Sequence, residues 1–351
     1  MQPVLPEPVS TWLPYVRDAA WLPHDYFARS DTMVFAHLPR ETQRRAIFLD
    51  PRFLARAPKS EPIPMQELPA DEVRAGAGPI NFIFHTAFCC STLLTRALDI
   101  PGVSMGVKEP AVLSAFSGHL STGRRTPGAL TALGITLDLL SRPLNAGEAQ
   151  VIKPNNVANH MMPQILHLRP DAKALVLYSS LDAFVRAIAR RGLEGRAYAR
   201  RVFQQFATAI PLEAGFTTED LLLQTDLQIA AQAWLMQASF IEAVQKRFGR
   251  ERVRVLNSDS FLADPTGVLA LLAAFYGLTL NGQQIGEIVD GPVFREHAKQ
   301  PALAFDAEAY KAQHDQAGMT HFEEINAVRA WAKTLAARCN APLVLEETLL
   351  T

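Results

Sequence analysis

The amino-acid sequence predicts an α/β fold with a doubly wound, mainly parallel sheet flanked by helices. Three observations predict it. Short runs of strand length and mostly apolar composition, at 80–84, 103–107, 150–152, 172–178 and 253–256, alternate with longer segments whose apolar residues recur at helical spacing. Strand followed by helix, in repetition, is the pattern of crossovers that build a parallel sheet covered on both faces. Polar residues also gather just after the runs, in HTAFCCST, KEP, KPNN and SSLD, where ligands collect in open α/β sheets.

The 351 residues are 48% hydrophobic and 20% charged with a formal net charge of −1, the profile of one large globular domain or two unequal ones. A near-neutral chain has no bulk electrostatic pull toward nucleic acid or a membrane surface, so the expected partner is a small molecule. Only Cys89, Cys90 and Cys339 occur, an odd count without a CxxC pair, so neither a disulfide framework nor a cysteine zinc site is expected, and a reducing cytoplasm fits. The N-terminus has neither a basic leader nor a long apolar core, and no window reaches the ~18 apolar residues of a membrane span.

Residues 1–75 differ in texture from 76–351, which carry the strand and helix alternation. Pro3, Pro6, Pro8, Pro14, Pro23, Pro39 and Pro51 interrupt short amphipathic pieces, and Trp12, Tyr15, Trp21, Tyr26 and Phe27 are dense. An irregular, partly helical cover that packs its aromatic residues on the main domain is expected.

Ile80, Phe82, Ile83 and Phe84 form a buried strand after the break AGAGP, and Leu93, Leu94, Ala97 and Leu98 place a helix from Ser91 onward. Ser91 thus stands as a hydroxyl at the helix start. A helix leaving a buried strand presents unpaired N–H groups and its positive dipole end at the sheet edge, which favours an anion. The turn between them lacks the glycine and lysine of GxxxxGK[ST], so it is not a Walker A loop. Pro101-Gly102 then turns the chain into the second strand, which ends at Lys108-Glu109-Pro110. A helix over 126–141 precedes the third strand, which ends at Lys153-Pro154-Asn155-Asn156. A helix over 159–168 leads to the fourth strand, and Ser179 to Asp182 opens a basic helix with Arg186, Arg190 and Arg191, whose default place is a solvated face. Residues 219–248 are mostly helical. The fifth strand precedes a helix with Asp264 at its cap and Pro265 at its first position, and a last helix spans 322–338.

Three segments, FIFHTAFCCSTLL with KEP, then VIKPNN with PDAKALVLYSSLDAFV, then RVLNSDSFLADPTGVLALLAAFYGL, resemble the P-loop type of sulfotransferases in order and spacing. Together they cover most of 80–278. The resemblance implies a P-loop NTPase-like fold of sulfotransferase type. It also implies transfer of a sulfuryl group from 3′-phosphoadenosine 5′-phosphosulfate to an acceptor hydroxyl or amine, without a metal. It assigns the donor loop to His85, Thr86, Cys89, Cys90, Ser91 and Thr92. Lys153, after the third strand, becomes the cation near the bridging oxygen. The family's common cytosolic members keep a His two residues beyond that lysine, where this chain has Asn155, so Glu109 is the substitute base.

The donor loop departs from the family pattern, with Phe88 in place of Lys or Arg and Cys90 in place of Gly. After the fourth strand Ser179 stands where an Arg would hold the 3′-phosphate, and Arg186 is the candidate replacement. Lys299, with Arg295 and His297, falls where family members often close a cationic loop over the donor. Two other readings stay open. The chain can be a non-catalytic or different-donor nucleotide-binding relative, or Cys90-x5-Arg96 can be a cysteine-phosphatase pair. His160 and His167, seven apart without a third ligand, read as packing or surface residues.

Overall fold

Period-two alternation in the strands decides how the molecule is layered. The computed structural model describes residues 12–122, 128–297, 300–304 and 320–351. Three strands, β1 (Trp21–Phe27), β2 (Thr32–His37) and β3 (Ile63–Pro64), make a small antiparallel sheet near the N-terminus. Five more, β4 (Ile80–His85), β5 (Ser104–Lys108), β6 (Ala149–Lys153), β7 (Lys173–Tyr178) and β8 (Val253–Asn257), make a parallel sheet in the order β5-β6-β4-β7-β8. β4 is central, as its unbroken burial requires.

Successive side chains of β4 enter opposite cores. Phe82 and Phe84 join Val176, Phe184 and Trp234 on one face, while Ile83 joins Leu175, Leu177, Leu93 and Leu272 on the other. Helices α1 (Ser91–Ala97), α2 (Ala111–Ser121), α3 (Ala129–Leu140), α4 (Leu181–Arg190), α5 (Gly192–Ala209), α6 (Asp226–Phe248), α7 (Pro265–Tyr276) and α8 (Phe322–Cys339) surround the sheet. The α/β class expected from the sequence is the one observed. Asp264 caps α7 by accepting from Gly267 N at 2.8 Å with Pro265 at the first position. The Tyr276 hydroxyl at the other end of α7 donates to Phe82 O at 2.6 Å and accepts from Leu175 N at 3.2 Å, pinning the helix across β4 and β7. Among the described residues no helix is long and apolar enough to cross a membrane.

Residues 12–75 carry short helices, Leu13–Arg17, Arg40–Arg45 and Ala70–Ala75, and beside them the β1-β2-β3 sheet, which the sequence reading did not include. Pro23 fits inside β1 because β1 is an edge strand and its register shifts between Pro23 and Asp25. Phe35, Leu49 and Leu54 of this region lie in the same core as Phe82. Arg142, after α3, binds the two parts together. Its buried guanidinium donates to Leu139 O at 2.8 Å, Tyr15 O at 2.9 Å, Val16 O at 2.6 Å, Asp18 O at 3.2 Å and Trp21 O at 2.6 Å. Burial brings the Arg142 pKa down to about 10. The helix α5 is absent from the expectations, since its sequence GLEGRAYARRVFQQFATA carries two glycines and a narrow apolar stripe.

Candidate active site

Because the central strands run parallel, β4, β5, β6 and β7 release their chains at one edge, and the polar clusters read from the sequence meet there. Lys108 and Lys153 are register partners at the ends of β5 and β6. The Lys108 side chain turns to the N-terminal region and donates to Arg44 O at 2.8 Å, and burial pushes its pKa down to about 8 against the pull of Asp99. The next residue, Glu109, accepts from Lys153 Nζ at Oε1 and from Asn155 Nδ2 at Oε2, the latter at 3.0 Å. Its own N–H donates to Lys153 O at 2.7 Å. Side-chain exposure is 1% for Lys153 and 14% for Glu109, so the ammonium is enclosed and the carboxylate keeps a small part of its surface accessible. The Phe48 ring centroid lies 5.3 Å from Lys153 Nζ and walls the pair on the side of the N-terminal region.

Backbone strain is concentrated at this edge. Glu109 has φ +53°, and Ala87, Phe88 and Cys90 in the loop between β4 and α1 have φ +72°, +52° and +58°. Each side chain held in the left-handed region costs about 1–2 kcal/mol, and such conformations cluster at functional sites. Ser91 is the first helical residue and not the cap; Cys90 holds the cap position without a side-chain hydrogen bond. The left-handed turn at Cys90 accounts for the displacement. Ser91 and Thr92 are buried, and among the described residues neither hydroxyl has a hydrogen-bond partner.

Other loop residues named from the sequence act as struts. His85 accepts from Ala87 N at Nδ1 (3.1 Å), so its proton sits on Nε2 and is given to Pro154 O at 3.2 Å. This ties the loop to the residue after Lys153. Thr86 Oγ1 accepts from Ser179 N at 3.2 Å, Ser179 Oγ donates to Ala87 O at 3.4 Å, and Cys89 Sγ donates to Leu177 O at 3.3 Å. Trp234 Nε1 closes the set by donating to Ser179 O at 2.8 Å. Arg186 lies on α4 and pairs with Asp182 at 2.6 Å, and the same carboxylate takes Arg329 of α8. Lys299 lies outside the described residues; the segments beside it, Glu296–His297 and Gln300–Ala304, pair as an antiparallel ribbon. Arg96, which a phosphatase would hold beside the Cys90 thiol, pairs with Glu296 at 2.9 Å.

Two asparagines of the KPNN cluster and Tyr198, which the sequence reading did not single out, complete the site. Asn155 secures Glu109, and Asn156 Nδ2 donates to the Tyr198 hydroxyl of α5 at 3.0 Å. The Tyr198 ring meets Phe88 edge-on at 5.3 Å between centroids. Among the described residues no group of three or more His, Cys, Asp or Glu is placed to hold a metal.

No family model matches the chain, and no curated protein matches it. Among solved structures, it is similar to the sulfotransferase domain from the curacin biosynthetic pathway, at 14% identity and TM-score 0.39 over 70% of this chain and 97% of that one. A second is the sulfotransferase domain from the olefin synthase of Synechococcus PCC 7002, at 14% identity and TM-score 0.39 over 70% and 94%. A third is the sulfotransferase from Alicyclobacillus acidocaldarius, at 18% identity and TM-score 0.36 over 72% and 99%.

Proposed function

We propose that the chain is a sulfotransferase that moves a sulfuryl group from 3′-phosphoadenosine 5′-phosphosulfate to a hydroxyl or amine of a small acceptor. The observation that carries this reading is the Lys153–Glu109 pair, enclosed at the edge where β5 and β6 end, with Glu109 held in a strained backbone conformation. In-line transfer needs a cation where charge develops and a base on the acceptor, in one place. The acceptor oxygen or nitrogen attacks sulfur while the bond from sulfur to the oxygen bridging it to the 5′-phosphate breaks, and the bonding pair stays on that oxygen. Lys153 stabilises the charge formed there. Glu109 takes the acceptor proton; each carboxylate oxygen keeps a lone pair beyond its contacts with Lys153 and Asn155. The unspent hydroxyls of Ser91 and Thr92, with the loop that His85, Thr86, Cys89 and Ser179 brace, form the cradle for the donor phosphate.

The test is calorimetric titration with 3′-phosphoadenosine 5′-phosphate, followed by transfer assays from the sulfated donor to a panel of phenols, alcohols and amines. Saturable binding and transfer are expected, with Lys153→Met losing about a hundred- to a thousandfold in rate while still binding the product nucleotide. Binding without transfer to any acceptor would support the non-catalytic reading. Absence of binding by the wild type would sink the donor assignment.

A further inference from the structure

We propose that Arg191, stacked on Phe88, is the cation that binds the 5′-phosphate of the nucleotide donor, supplied to the loop from the end of α4. This rests on the donor reading above and adds to it a residue that neither the loop sequence nor its spacing contains. Phe88 stands where the resemblance puts a basic residue, and a phenyl ring cannot bind phosphate. The structure nonetheless brings a charge to that position, because the guanidinium carbon of Arg191 lies 4.8 Å from the Phe88 ring centroid. Phe88 is held from its other sides by Phe184 at 5.7 Å and Tyr198 at 5.3 Å, so the platform under the guanidinium is fixed. Stacking orients the planar cation while leaving its N–H edge free for phosphate.

Charge pairing separates Arg191 from its neighbours. Arg186 is held by Asp182, Arg196 by Glu324 and Arg200 by Asp226. Arg191 is exposed, and no acidic side chain among the described residues pairs with it. A cation that is oriented but not neutralised is suited to a mobile anion. Its distance from the reacting pair is short in contacts: Arg191 on Phe88, Phe88 against Tyr198, Tyr198 bonded to Asn156, and the adjacent Asn155 bonded to Glu109. Burial raises the pKa of the Tyr198 hydroxyl against the hydrogen bond from Asn156.

Calorimetry of the full chain with 3′-phosphoadenosine 5′-phosphate tests the assignment. Arg191→Ala is expected to weaken binding at least tenfold without moving the melting temperature, because the side chain is exposed. Arg191→Lys should recover only part, since an ammonium lacks the planar fork. Phe88→Leu, which removes the platform and keeps the charge, should weaken binding severalfold. Phe88→Lys in the Arg191→Ala background, which moves the cation into the loop, should regain at least threefold. Equal binding by wild type and Arg191→Ala overturns the Arg191 assignment and leaves the donor reading standing. Binding lost in Arg191→Ala but unchanged in Phe88→Leu overturns the stacked arrangement. If the wild type itself does not bind, the donor reading fails and the inference fails with it.

Discussion

Lys153 and Glu109 show how much a single residue's position costs and what it permits. Both are taken largely out of water, and removing one member of such a pair leaves the other uncompensated, at a cost of about 3–5 kcal/mol. Glu109→Ala is therefore expected to lower stability by about that amount in denaturant titration. Glu109→Gln with Lys153→Met should cost clearly less than the sum of the single changes, which a double-mutant cycle would reveal. Two histidines set a pH dependence. His160 accepts or donates at 3.0 Å to Ser117, and burial lowers its pKa; His24 is lowered by burial and then by Lys59. With folded values below 6.5, the unfolded chain binds more protons once pH falls toward and below that value, so stability present at neutral pH is lost on acidification. Thermal melts between pH 7.5 and 5 should show the midpoint falling, and His160→Gln should flatten part of the slope, by up to ~1.4 kcal/mol per pH unit.

At the scale of elements, the sheet edge is placed by close packing behind it. A Cβ on Gly106 of β5 would stand 2.2 Å from Thr95 O, so α1 lies directly on that strand. Gly106→Ala must push α1, and with it the strained loop, away from β5. We expect a loss of about 1–3 kcal/mol in stability, and weaker binding of 3′-phosphoadenosine 5′-phosphate in the fraction that folds. The cap of α7 provides a contrast. Asp264→Ala should cost about 1 kcal/mol in denaturant titration and leave nucleotide affinity unchanged, because the cap lies at the start of α7 and touches no residue of the site.

The whole molecule is joined through Arg142, whose five carbonyl acceptors include four from residues 15–21. A guanidinium so enclosed cannot be replaced by an apolar side chain without stranding those carbonyls, each at a desolvation cost of about 1–3 kcal/mol. In limited proteolysis Arg142→Met should expose cleavage sites within residues 12–75 under conditions where the wild type is resistant.

Local pattern was enough for the α/β class, the five parallel strands, the burial of β4 and the Asp264 cap, since each follows from apolar period, breakers and capping residues within one segment. KEP and VIK were legible too, because a parallel sheet sends every strand's carboxyl end to one edge. Other features depend on contacts between distant segments. Arg191, read as a solvated face, reaches Phe88, while Arg186 is taken by Asp182. Which arginine keeps its charge available depends on the acids that folding brings beside each one. Likewise Pro23, read as an interruption, lies inside β1, because an edge strand does not need its N–H. Those outcomes are electrostatic and steric balances among neighbours, and only the tertiary structure supplies the neighbours.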